Sequence, residues 1–205
     1  MKHLTQEEKK IIRQAVQNAE RQTSGEFVTI IARRSDLYFF IPIMWAAIIA
    51  LVSIVPLVFF NILTDPGVIL NIQLAGFVLV FLLLQLDSVK MKFVPKQIKK
   101  TMVHKFALEQ FVLQGVSHTK DHSGVLFFVS MAEKRVEIIA DKGIQEKAGQ
   151  EAWSLIVDEF VENVHNQQMC QGFVTAIEKC GKLMAKHFPR ESTDTNELSD
   201  KLVEM

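Results

Sequence analysis

Cysteine is scarce: there are two in 205 residues, Cys170 and Cys180, in no CxxC arrangement and at no metal-ligand spacing from a histidine. That excludes a disulfide scaffold and a thiolate zinc site, and it fits two packing thiols in a reducing compartment. Net charge is also missing, with 23 basic against 23 acidic side chains, so no global field draws the chain to nucleic acid. The sequence contains no CxxxxxR loop, DxDxT start, GxxxxGK[ST] or GxGxxG. The commonest phosphate-handling and dinucleotide signatures are therefore absent. Most telling is a local lack of charge: from Leu37 to Leu86, 50 residues carry one Asp, Glu, Lys, Arg or His, namely Asp65.

That block divides into two apolar runs. Leu37–Phe60 has 24 uncharged residues, about 36 Å as a helix, and Val68–Leu86 has 19, about 28 Å. Neither has the polar stripe of a soluble helix. Between them Asp65-Pro66-Gly67 reads as a tight turn, so residues 37–86 are expected to form a transmembrane hairpin of two crossings. Arg33 and Arg34 precede the first run, and six lysines without an intervening acid lie between Ser88 and Lys105, while the turn has no Lys or Arg. Basic flanks stay on the cytoplasmic side, so both termini are expected there. The N-terminus opens with charge and lacks a signal-peptide core. The expected location is a membrane crossed twice.

The remaining residues read as one domain interrupted by the hairpin. Thr5-Gln6-Glu7-Glu8 matches a capping box, and Ile11, Ile12, Ala15, Val16 and Ala19 recur at helical spacing, predicting a helix over 5–23. Residues 26–33 read as a strand. After the hairpin, the pattern predicts a helix from Pro95 to about Val116, strands at 124–130 and 135–140 joined by a short turn, and helices over 146–165 and 168–187. A lone first strand could not satisfy its backbone, so it must pair with the later ones. The expected fold is α/β, a small mixed sheet flanked by helices. Residues 1–36 and 87–189 are its two parts, 37–86 the hairpin, and 190–205 an acidic tail lying over the surface.

Thr23-Ser24-Gly25-Glu26-Phe27-Val28, Ser123–Ser130 and Glu133–Ile144, with His187-Phe188-Pro189 and Asn196-Glu197-Leu198 further on, resemble the TPM domain family, named for TLP18.3, Psb32 and MOLO-1, and in particular its bacterial membrane-bound branch. The resemblance implies an α/β sandwich. It also implies metal binding and acid phosphatase activity in some members, and assembly, repair or receptor-auxiliary roles at membrane complexes in others. It points to a LemA-type membrane protein as a partner. Asp141-Lys142-Gly143 stands where the family usually has a two-glycine turn.

With parallel first and second strands, Glu26, Asp121 and Asp141 should meet at the membrane-distal edge. Three carboxylates supply hard oxygen ligands for Ca²⁺ or Mg²⁺, which could orient a phosphate and polarise water. His118 and His122 flank Asp121 as candidate acid or base. Acids at strand ends also serve as caps and turn formers, and no nucleophile with a phosphate clamp completes a catalytic set. The expectation is therefore a membrane-anchored module for binding or assembly at a membrane protein complex, contacting it from the cytoplasmic side. A divalent-cation-dependent phosphatase is the alternative.

Overall fold

Thr5 starts the first helix as the sequence demands: its hydroxyl accepts the Glu8 N–H while the Glu8 side chain returns to the Thr5 N–H. The computed structural model describes residues 4–60, 65–190, 194 and 196–205. In it α1 runs Gln6–Glu20 and leads into strand β1, Phe27–Ala32. There follow α2 (Phe40–Phe59), α3 (Pro66–Leu84), α4 (Asp87–Phe93) and α5 (Lys96–Leu113), then β2 (Val125–Ser130) and β3 (Arg135–Ala140). Helices α6 (Lys142–Ala148), α7 (Gln150–His165) and α8 (Met169–His187) complete the body, and a two-residue strand β4, Val203–Glu204, ends the chain. The chain forms two units, residues 1–35 with 101–205, and residues 36–100.

In the first unit the sheet has the order β3-β2-β1-β4. β1 pairs parallel with β2, Phe27 opposite Val125 through Ala32 opposite Ser130, and β2 pairs antiparallel with β3. Alternation along the strands divides the core between two faces. Phe27, Val125, Phe127 and Val129 pack with Ile12 and Val16 of α1, Ile144 of α6, Trp153 and Phe160 of α7, and Phe173 and Ile177 of α8. Val28, Ile30, Leu126 and Phe128 pack on the other face with Val103, Ala107 and Phe111 of α5. Edge-to-face contacts among Phe127, Phe160 and Phe173, centroids 4.9 to 5.5 Å apart, fix the first face. Cys180 is fully buried there, as a packing thiol would be, and burial pushes its ionisation upward.

Several expectations change. The helix expected over 146–165 is two helices, because Gly149 adopts φ +74 and ψ 157, a conformation open essentially to glycine alone. α5 ends at Leu113, and Val116–His118 forms a separate 3-10 turn. The acidic tail does more than cover the surface: β4 joins the free edge of β1, Val203 opposite Ile30 and Glu204 opposite Ile31. With no alternating run around Val203, that strand has no periodic signature.

In the second unit α2 and α3 pack on each other, with Gln73 Nε2 donating to the Ala50 carbonyl at 3.2 Å. Asp65-Pro66-Gly67 begins α3 instead of turning: Asp65 caps the Gly67 N–H at 2.7 Å and Pro66 occupies the first turn, where its missing N–H costs nothing. The rest of the expected turn, residues 61–64, lies outside the described residues. Pro66–Leu84 is long and apolar enough to cross a membrane, by length and composition, and the apolar stretch Phe40–Pro56 is shorter. α4 was not foreseen among the lysines. Its Phe93 ring meets Trp45 edge-on, centroids 5.7 Å apart, and Lys90 Nζ lies 3.1 Å from Asp87.

Candidate functional site

Ladder bonds bring two of the three predicted acidic residues to one end of the sheet. The Val125 N–H donates to the Glu26 carbonyl and the Asp141 N–H to the Gly124 carbonyl, each at 2.9 Å, so Glu26, Gly124 and Asp141 follow one another across that edge. Each side chain then has its own task. Glu26, 5% exposed, accepts the Glu197 N–H at 2.9 Å through Oε1 and the Leu198 N–H at 3.2 Å through Oε2. Asp141 caps α6 at the Lys142 N–H, 2.7 Å, and its other oxygen lies 3.1 Å from His122 Nδ1. Asp121 is exposed in the loop before β2, and His118 Nδ1 lies 3.1 Å from Ser117 Oγ. Among the described residues no group of three or more His, Cys, Asp or Glu is arranged to hold a metal ion.

The acidic chemistry gathers instead on the α1 side of Glu26, in a cleft of about 240 Å³ lined by Glu20, Arg21, Glu26, Arg190, Asp194 and Asp200 among others. Glu20, at the end of α1, accepts the Phe27 N–H through Oε1 at 3.1 Å, while its Oε2 is buried without a donor. A buried carboxylate oxygen in that position is costly. Burial first, and then the charge of Glu26, push the Glu20 carboxyl up to about 8, so that it holds its proton at neutral pH. The orphan oxygen then becomes a donor, and Asp200 is the acceptor it faces. Burial opposes ionisation of Asp200, but hydrogen bonds from Asn196 (2.6 Å), Gln17 (2.8 Å) and Glu20 outweigh it and hold this carboxyl below its ordinary value. Burial likewise raises Glu26, against the two N–H groups that favour its charge and with Glu197 and Asp194 adding to the rise. The cleft thus offers a neutral carboxyl beside anions, with two guanidinium groups on its walls.

Glu20 escaped the sequence reading because it looks like any polar residue in a last helical turn. Asp200 lies in a tail with no periodic pattern. The one available signal was the acid content of residues 190–205.

Residues 90–183 match the family model of the TPM domain. Those residues are similar to the TPM domain family. The match takes in β2, β3, α5, α6, α7 and most of α8. α1, β1 and the C-terminal segment lie outside it, although they complete the same sheet and core. A solved structure, the NMR structure of the BA42 protein from the psychrophilic bacterium Bizionia argentinensis, is similar over 100% of this chain and 97% of its own, with a TM-score of 0.63 at 22% identity. That likeness extends the shared fold beyond the matched residues. No curated protein sequence matches the chain.

At the opposite end of the sheet a second buried polar cluster closes the β2–β3 turn. Ser130 donates to Glu133, Ser35 Oγ donates to Ser130 Oγ at 3.1 Å, and the Ser35 N–H donates to Glu133 Oε1 at 3.1 Å. Ser130 is fully buried, and among the described residues its hydroxyl bonds to Glu133 and Ser35. The cluster works as a clamp: with the Met131 and Ala132 N–H groups donating to Ala32 and Arg33, it fixes where the chain leaves β1.

Proposed function

We propose that this chain is a membrane-anchored TPM-like binding module, acting on a membrane protein complex from the cytoplasmic side. The observation that carries the reading is the exposure of α3. It is 19 residues without a charge, and only 6% of its apolar window is buried, whereas a core helix of that composition would be covered. Lipid is the medium that suits such a surface. α2, 20 residues and packed against it, supports a hairpin of two crossings. Arg33 and Arg34 before it, and Lys92, Lys96 and Lys100 exposed after it, favour cytoplasmic ends at a bacterial inner membrane.

Binding in preference to catalysis is supported by what the carboxylates are doing. Glu26 gives both oxygens to backbone N–H groups and Asp141 caps a helix, so the groups that would hold a cation are engaged in holding the fold. The partner that fits is another integral membrane protein, with a LemA-type protein the candidate suggested by family resemblance. Gentle detergent extraction of the tagged chain from native membranes, followed by pull-down and mass spectrometry, tests the reading. A stoichiometric membrane-protein partner is expected. Recovery of the chain alone, at every detergent strength, would overturn it.

A further inference from the structure

The C-terminal segment Asn196–Met205 is held to the body almost wholly by polar contacts. Val203 and Glu204 add two rungs to β1, the Met205 N–H donates to the Ile31 carbonyl at 2.9 Å, and the Arg33 N–H donates to the Met205 carbonyl at 2.7 Å. Lys9 Nζ meets Glu204 at 2.8 Å, and the Lys120 N–H reaches Glu197 at 3.3 Å. The rest of the grip is carboxyl chemistry: Glu26 on the Glu197 and Leu198 N–H groups, and Asp200 on Gln17 and opposite Glu20. Apolar anchoring is slight, with Leu198, Leu202 and Val203 only partly buried against the two cores. Such a segment sits at the low end of the local stability scale, able to open without the sheet.

We propose that Asn196–Met205 is a proton-latched strap: the proton shared between Glu20 and Asp200 keeps it closed over the cleft, and loss of that proton releases it and bares the edge of β1.

The charge inventory sets the direction. Around Glu20 stand Gln17 and Arg21 of α1, Glu26 of β1, Arg190 after α8, and Asp194, Asn196 and Asp200 of the C-terminal segment, with Glu197 adjoining Glu26. With Glu20 neutral, two anions, Glu26 and Asp200, meet at the latch, and the Glu20 proton adds a hydrogen bond to those that Gln17 and Glu26 already make with the strap. With Glu20 ionised, Glu20, Glu26 and Asp200 repel one another within one cleft, and Arg21 and Arg190 are the cations on its walls. Because the closed strap holds Glu20 protonated above the ordinary value of 4.5, its hold is fullest below that value and falls as pH rises toward about 8. Closed is the acid-to-neutral state, and open the mildly alkaline one.

Hydrogen exchange on the full-length chain in detergent micelles, read at the amides of Arg33, Glu197, Leu198 and Met205 and corrected for intrinsic base catalysis, tests the latch. Between about pH 6 and about pH 9 the opening constant of these amides should rise about tenfold or more, while β2 amides stay protected. In Glu20→Gln, which keeps a hydrogen-bond donor but cannot ionise, the rise should vanish. Asp200→Asn, which removes the opposing anion, should cut it to less than about threefold and serves as the reading if Glu20→Gln does not fold. A flat wild-type profile, a rise unchanged in whichever variant folds, or opening of β2 together with the strap would each overturn the proposal.

Discussion

Glu26 Oε1 accepts the backbone N–H of Glu197, 171 positions further along the chain, at 2.9 Å. One carboxylate at the head of β1 thus fastens the last segment of the chain to the sheet, and Leu198 completes the grip through the second oxygen. The residue that sequence reasoning marked as a cation ligand acts here as a backbone acceptor. Glu26→Ala would leave two N–H groups without their acceptor, and should lower stability by about 1 to 3 kcal/mol. Thermal melting in detergent reads this, with Glu26→Gln retaining more than half of the wild-type increment. An unchanged melting temperature in Glu26→Ala would contradict the assignment.

Glu20 gives the whole fold a pH dependence. Its folded-state carboxyl is held near 8 against an ordinary 4.5, so its stabilising contribution is complete below 4.5 and is lost progressively up to about 8. Melting temperature should therefore decline from mildly acid to mildly alkaline buffer. Glu20→Gln should flatten the decline and exceed wild type at the alkaline end. A wild-type curve without slope in that interval would show Glu20 to be ionised in the folded state.

Gly181 lets α8 approach α1. A Cβ there would lie 2.7 Å from the Ala19 Cβ and 3.2 Å from its Cα, too close for either helix to accommodate without moving. Gly181→Val should destabilise by about 1 to 3 kcal/mol through overpacking, and removing the opposing Cβ in Ala19→Gly should partly rescue it. Denaturant unfolding of the four proteins measures the coupling, and simple additivity would contradict a direct contact.

Gly149 has open space around an added Cβ, yet its φ of +74 is one that L side chains rarely adopt. Gly149→Ala should cost about 1 to 3 kcal/mol from backbone strain alone, at the break between α6 and α7. A neutral effect in the same unfolding measurement would mean that the α6–α7 boundary is not formed as described.

Phosphomonoester hydrolysis by the purified chain should not increase on adding Ca²⁺ or Mg²⁺, given how Glu26 and Asp141 are engaged. Asp141→Ala should reduce stability by about 0.5 to 2 kcal/mol through loss of the α6 cap. Cation-stimulated turnover that disappears in Asp141→Ala would instead establish the phosphatase reading.

Where a local rule was strong, the fold could be read from the residues. The capping box at Thr5, the β-branched run feeding β1 and the bounds of β3 at Arg135 and Ala140 all appear as expected, and pairing of β1 with β2 followed from the need to satisfy a strand's backbone. β4 could not be read, because two residues carry no period. α4 was hidden because Lys90 and Lys92 look like flanking charge until Phe93 is seen against Trp45. Gly149 stands inside an apolar period that continues on both sides of it, so the sequence pattern hides the break between α6 and α7. At the site, Glu26 could be singled out from its position before a strand, but its function could not. Its partners are backbone groups of residues 197 and 198, and the neighbouring Glu20 is set apart from other glutamates only by burial beside Asp200.

Membrane anchoring with both ends cytoplasmic is the central proposal. Epitope tags placed at each terminus and, in a separate protein, in the α2–α3 connection next to Asp65 can be probed from outside in intact spheroplasts and again after permeabilisation. Labelling of the Asp65 tag from outside, with both terminal tags reached only after permeabilisation and the chain retained in the membrane pellet after alkaline washing, is the predicted result. Labelling of a terminal tag in intact spheroplasts, or release of the chain by the wash, would contradict it.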